Sequence, residues 1–190
     1  MTKILLSLIA LSFVLTACGA PVVEETEATN TPIYLEPLNP GMDDEGRYYE
    51  VDGGFSYIPP QGWSFVEVDG ISYLALAETE QKGTILNNLI FTDEDYSGSL
   101  ENYFNASLDT LQQAWSDYEI LQRDQIDLLS GEQVYVVSAK NIVEGVEMLQ
   151  TQFFFDMGSK KLVLTYTSNL DEDPENIQAV SDFVESLRLD

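Results

Sequence analysis

Apolar residues recur at the helical period in two stretches of this chain, and nearly everything else between Gly54 and Thr167 runs in short apolar segments broken by turn residues. Leu100, Phe104, Leu108, Leu111 and Trp115 form one stripe behind Ser99, a residue suited to an N-cap, and predict a helix over 100–115. Asp173 as cap and Pro174 at the first helical position open the second, where Ile177, Val180, Phe183, Val184 and Leu187 share a face and predict a helix over 174–187. Neither stripe is long or basic enough to lie on a membrane surface, so both are expected to pack against a sheet.

The strand signals come in two groups. Gly54 to Trp63 reads as a strand, a proline-glycine turn and the start of another strand. Trp63–Val68 and Ile71–Ala77 then flank Asp69-Gly70, which predicts a tight hairpin, with Thr84–Thr92 pairing next. Later, Glu119–Leu128, Gln133–Asn141, Val146–Phe155 and Lys161–Thr167 alternate with Ser130-Gly131, Glu144-Gly145 and Gly158-Ser159, the pattern of an antiparallel meander. Val134 and Val136 oppose Tyr135 and Val137, and Phe153-Phe154-Phe155 leaves no polar face, so these strands need cover on both sides. The expectation is an α+β fold: an α-β-α sandwich with a central antiparallel sheet of about six to eight strands and the helices packed on its faces.

At the N-terminus the pattern is of another kind. Lys3 precedes a twelve-residue, mainly apolar run from Ile4 to Leu15, too short to span a bilayer, which takes about 20 residues. Leu15-Thr16-Ala17-Cys18 follows directly and resembles the lipobox of bacterial lipoproteins, whose cysteine takes a diacylglyceryl group and becomes the first mature residue. Residues 1–17 are therefore expected to be a signal peptide and Cys18 the lipidated anchor, stably held on the extracytoplasmic side of the cell membrane by more than one acyl chain. Cys18 is the only cysteine, which removes any intrachain disulfide. The stretch up to Gly46 is rich in Pro, Glu, Thr, Asn and Gly, so 18–46 reads as lipidated cysteine and acidic tether, with Glu24, Glu25, Glu27 and Asp43-Asp44-Glu45 as solvating charges. Residues 47–190 are left as a single globular domain.

Charge narrows the function. Eight basic residues stand against 33 acidic ones, a formal charge of −25, and loss of the signal removes only Lys3. Such a surface repels phosphate backbones and anionic headgroups, which argues against nucleic-acid binding and polybasic membrane docking. There is no histidine, so no Ser-His-Asp triad, Cys-His pair or imidazole metal ligand can be assembled. Carboxylate chemistry and oxygen-ligand cation binding survive this exclusion.

Two acidic runs invite the second of these. Asp171-Glu172-Asp173-Pro174-Glu175 and Asp93-Glu94-Asp95 place oxygens in series, as calcium ligands do, but the first lacks the glycine and distal glutamate of a calcium loop. Each precedes a predicted helix, and negative charge at a helix start is favoured by the macrodipole, so capping is the preferred reading and no metal site is assigned. Tyr48, Tyr49, Tyr57, Trp63 and Tyr73 concentrate aromatics early in the domain; Trp63 is expected in the core, and Tyr48 and Tyr49 as the exposed pair.

The order of residues from Gly54 to Leu189 resembles the PsbP and DcrB-like superfamily, in the opening Gly54-Phe55-Ser56-Tyr57-Ile58-Pro59-Pro60-Gln61-Gly62-Trp63, the central helix, the long hairpins after Tyr118 and the closing Phe183-Val184-Glu185-Ser186-Leu187-Arg188. The resemblance implies an α-β-α sandwich that acts as a binding or assembly module, in a superfamily that includes extrinsic photosystem II subunits, a Ran-binding import factor and bacterial lipoproteins. Enzymatic activity is not its habit, and the histidine-based metal site of some photosystem members has no counterpart here. The chain is expected to be a lipid-anchored module contacting a protein or envelope component, with no catalytic residues, cofactor or metal. The alternatives are a low-affinity cation or solute binder and a carboxylate-dependent enzyme acting on envelope glycans, which would need two acids about 5 to 9.5 Å apart.

Overall fold

A computed structural model describes residues 40–80, 83, 85–143, 145–170 and 174–189. The predicted signal, Cys18, the acids Glu24, Glu25 and Glu27 of the tether and Asp171-Glu172-Asp173 lie outside these residues. In chain order the elements are β1 (Tyr48–Glu50), β2 (Phe55–Tyr57), β3 (Trp63–Val66), β4 (Ala75–Glu78), β5 (Asn88–Asp95), α1 (Leu100–Ala114), β6 (Glu119–Asp127), β7 (Gln133–Val143), β8 (Val146–Met157), β9 (Lys160–Ser168), α2 (Pro174–Ser186) and β10 (Arg188–Leu189). Seven strands form one antiparallel sheet in the order β3-β4-β5-β9-β8-β7-β6. The α+β architecture expected from the sequence is the one observed.

Both faces of the large sheet are covered, as the apolar strands demand. Phe153 and Phe155 of β8 join Leu89, Phe91, Leu162 and Leu164 beneath Val180, Phe183 and Val184 of α2 and Leu187 just after it, while Phe154 turns the other way to meet Leu100, Phe104, Leu108 and Leu111 of α1. Successive residues of one strand thus feed opposite layers, the period-two geometry of a doubly covered sheet. The α2 layer also contains a second sheet, β1-β2-β10, absent from the sequence expectation. Arg188↔Ser56 and Leu189↔Phe55 pair the end of the chain with β2, and Tyr48↔Tyr57 pairs β1 with its other edge. Phe55 and Tyr57 project from this small sheet onto Phe91, with ring centroids 4.7 and 5.2 Å away, and Phe183 closes on Tyr57 at 5.1 Å.

Four local expectations are corrected. Asp69-Gly70 does make a turn, with Ile71 N–H donating to Val68 O at 3.1 Å and Gly70 at φ 82°, but the ladder begins only at Val66↔Ala75. Pairing directly across a two-residue turn would oppose Val68 and Ile71; the observed register is displaced from that, so the connection is a longer loop. Asp93-Glu94-Asp95 ends β5 rather than capping α1, and the third early strand is β5 at 88–95 instead of 84–92. Asp43, read as a solvating charge, accepts from the backbone of Glu45 and Arg47 at 2.9 Å each and from Tyr49 Oη at 3.1 Å, which holds its carboxyl below the usual carboxylate range and builds a turn ahead of β1.

Ser99 is the N-cap of α1, its Oγ accepting from Asn102 N–H at 3.3 Å. Ser99→Ala leaves one helix-end donor without this partner and is expected to cost about 1 kcal/mol. Urea denaturation should show a lowered midpoint with an unchanged slope; an unchanged midpoint would mean the cap contributes nothing. At the far edge, β6 is exposed along most of its length, but it carries Arg123, Asp124 and Asp127 and a register shift between Ile120 and Gln122, features that discourage another chain from pairing there.

Candidate functional site

A concavity opens where the Pro59–Trp63 turn, the end of β4 and the outer side of α2 converge. It is a cleft of about 720 Å³, inside the range of about 300–1,000 Å³ usual for ligand sites. One wall comes from the chain reversal between β2 and β3. Tyr57 is held in the core, the two prolines stop the strand, and Gly62 adopts φ 82°, a left-handed conformation that lets Trp63 N–H close onto Pro60 O at 3.2 Å. The other wall is α2, fixed at its C-terminal end by Arg47 Nη1 donating to Ser186 O at 2.8 Å and by Ile58 N–H donating to Ser186 Oγ at 2.9 Å. These contacts satisfy a terminal helix carbonyl with a cation and tie the helix to the turn across the groove.

Chemically the cleft has two halves. Ile58, Pro59, Pro60, Trp63, Ala179 and Phe183 supply apolar surface, and Ile58 is 40 % exposed. Glu78, Glu80 and Asp182 supply carboxylates, and no basic residue is among the described lining residues. Trp63 and Glu78 are cross-strand partners in the β3–β4 ladder, so the indole and the carboxylate leave the same sheet face side by side. Glu78 is deeply buried, whereas Glu80 and Asp182 are exposed. Asp182 accepts from Gln178 Nε2 at 2.7 Å, one helical turn earlier. A second, smaller cleft of about 360 Å³ lies between the start of α1 and the start of β7.

The residues singled out from sequence fare differently. Trp63 does pack on the core, 6.2 Å from Tyr166 between centroids, but it is only partly buried and also lines the cleft. Tyr57 and Tyr73 are core residues. Tyr49 is half exposed as expected; Tyr48 is not, since its ring sits 4.9 Å from Phe65 and 5.4 Å from Tyr57. Burial and a hydrogen bond to Glu50 at 3.0 Å push the Tyr48 phenol up to about 12. The Asp93 run does not converge on a point, because strand alternation separates its members. Asp93 pairs with Lys160 at 2.7 Å and Glu94 accepts from Tyr103 Oη at 3.2 Å on the α1 side. Among the described residues no three acidic or cysteine side chains are grouped to hold a metal ion.

The sequence model of the DcrB family matches residues 76–186, from β4 to the end of α2. The chain belongs to the DcrB family. The match covers the Glu78–Glu80 and α2 sides of the cleft, while the Pro59–Trp63 wall lies before it. Solved structures share the fold of this DcrB-family chain at low identity. LpqN of Mycobacterium tuberculosis, described as involved in cell envelope biogenesis, is 12 % identical with a TM-score of 0.58, over 84 % of this chain and 89 % of that one. Cyanobacterial PsbP from Synechocystis is 15 % identical with a TM-score of 0.57, over 76 % and 91 %. A Pseudomonas aeruginosa protein of unknown function is 11 % identical with a TM-score of 0.55, over 67 % and 97 %. No curated protein matches the sequence.

Proposed function

We propose that this DcrB-family chain is a lipid-anchored, extracytoplasmic binding module that contacts a protein or envelope component through the cleft between the Pro59–Trp63 turn and α2, without catalysing a reaction. The observation that carries this reading is the cleft itself: an open concavity with a proline-tryptophan wall, an acidic wall and a helix clamped in place by Arg47 and Ile58. Its walls are held by core contacts and backbone hydrogen bonds, the preorganisation that lowers the cost of binding. The lipobox-like Leu15-Thr16-Ala17-Cys18 supports the anchor, and no helix of the described residues is long and apolar enough to cross a membrane. A fold shared with LpqN fits a role at the envelope.

The test is site-specific photocrosslinking in the native host. A benzophenone side chain at Ile58 or Gln178 reports on the cleft, and one at Asp109, exposed on α1 at the opposite face, reports on random neighbours. One envelope component recurring at both cleft positions and missing from the Asp109 sample is expected. The same neighbours from all three positions would refute the cleft as the working surface.

A further inference from the structure

Resting on the binding role of the cleft, we infer that its occupant is a basic peptide segment of a partner protein, one that places an arginine or lysine beside apolar residues. The argument starts from the two-sided lining. A ligand that fills the cleft must bury apolar surface against Ile58, Pro60 and Trp63 while meeting the exposed Glu80 and Asp182, and no described lining residue is basic. Phosphate- or sulfate-bearing ligands and anionic headgroups are repelled by this wall. A bare metal ion would leave the apolar half unused and would need several oxygens converging on one point, a grouping not found among the described residues.

Arginine and lysine match both halves at once, because each has an apolar stem and a cationic head. The partly buried Trp63 offers them a specific seat. Its indole lines the same cleft as the exposed carboxylates of Glu80 and Asp182, so a guanidinium stacked on the indole sits in an acid-lined site where a cation–π contact and a charge-assisted hydrogen bond can combine. Trp63 N–H is already bonded to Pro60 O and Thr79 N–H to Gly62 O at 3.4 Å, and the recognition inferred here runs through side chains. The formal charge of −25 on the whole chain would speed the approach of a cationic segment, and the cleft would decide where it stays.

The test uses the full chain in neutral detergent, with Trp115→Phe so that Trp63 is the single tryptophan reporter. The probe is a dodecapeptide of Arg-Ala-Leu repeats, compared with its Gln-Ala-Leu counterpart. The arginine peptide is expected to bind and shift Trp63 emission, and Glu80→Lys with Asp182→Lys to weaken it by about tenfold or more. Glu101→Lys with Asp109→Lys changes the net charge equally on the exposed side of α1 and should weaken binding far less. Near-UV circular dichroism confirms that each pair folds, and the unmodified chain supplies an independent arm, since added salt should weaken the arginine peptide and leave the glutamine peptide unchanged.

Equal losses in the two charge-reversed pairs would overturn the inference by showing attraction to net charge alone. Equal binding of the glutamine peptide, or binding of a neutral oligosaccharide at Trp63 with no arginine-peptide binding, would overturn it while leaving the cleft as a binding surface. Loss of the cleft-specific crosslink in the host would instead remove the reading on which it rests.

Discussion

Replacing Lys161 by methionine is expected to lower the free energy of unfolding by about 3 kcal/mol, a large share of the roughly 5–15 kcal/mol that holds a domain together. Lys161 lies in β9 with its side chain 1 % exposed, on the face that meets α1. Its ammonium donates to Tyr96 O at 3.0 Å and Gly158 O at 2.6 Å and pairs with Asp156 at 2.9 Å. It thus ties the β8–β9 turn to the segment between β5 and α1, a junction also bridged by Tyr96 N–H donating to Ser159 O at 2.8 Å. Methionine keeps the volume and removes the cost of a buried charge, so the loss comes from the two charge-assisted hydrogen bonds to Tyr96 O and Gly158 O, each worth about 1.5–3 kcal/mol. Asp156 is half exposed and recovers with water. The neighbouring Lys160, 43 % exposed and paired with Asp93 at 2.7 Å, sets the scale: Lys160→Met should cost less than about 1 kcal/mol. Chemical denaturation of the two variants side by side decides it, and equal losses would show that Lys161 is an ordinary surface lysine in energetic terms.

The contrast between these two lysines shows what a sequence conveys and what it does not. Nothing in Lys160-Lys161 distinguishes them; register does, by sending one to solvent beside Asp93 and the other beneath α1. The long strands β6 to β9 are legible to within about two residues, because glycine turns at Gly131, Gly145 and Gly158 separate them and β7 to β9 are long and largely apolar. Ser99 and the two helical stripes were legible for the same reason, since the period and the cap are local properties. The small sheet was not. β1 and β10 have three and two residues, too few to show a period, and they exist because Arg188 and Leu189 return to Ser56 and Phe55 from the other end of the chain.

The cleft was legible only in part. Pro59-Pro60-Gln61-Gly62-Trp63 reads as a turn, and Trp63 as a core residue, which accounts for one of its two roles. Glu78, Glu80 and Asp182 carry no local signature, because a lone acid at the end of a strand or on the outside of a helix looks like a solvated charge. Their meaning depends on α2 lying opposite the β2–β3 turn, which the Arg47 and Ser186 contacts establish across the length of the domain. The acidic runs are the conspicuous local pattern instead, and strand alternation takes the run at Asp93 apart: carboxylates in consecutive positions of a strand point to opposite faces.

Raising the pH above about 10 is expected to unfold this protein steeply, at about 1.4 kcal/mol per pH unit for each buried tyrosine. Burial pushes the phenol of Tyr118 up to about 12, and raises those of Tyr57 and Tyr103 further, the latter helped by Glu94. The sign follows from which state holds the proton. A phenol with a raised folded value keeps its proton when the unfolded chain has lost it, so its contribution is complete below about pH 10 and is withdrawn as pH climbs toward the folded value. With three such groups acting together the loss approaches about 4 kcal/mol per unit, enough to exhaust an ordinary stability within two units or so. Absorbance at 295 nm against near-UV circular dichroism checks this. Part of the ten tyrosines should ionise with the ellipticity intact and the remainder only as it collapses. One smooth ionisation of all ten with the signal preserved would contradict it. Tyr118→Phe isolates a single contribution, because the Tyr118 hydroxyl is buried without a hydrogen-bond partner among the described residues. At neutral pH that variant should be as stable as the parent or more stable by up to about 1 kcal/mol, and its alkaline midpoint should move upward, since one of the groups that favours the unfolded chain at high pH is gone.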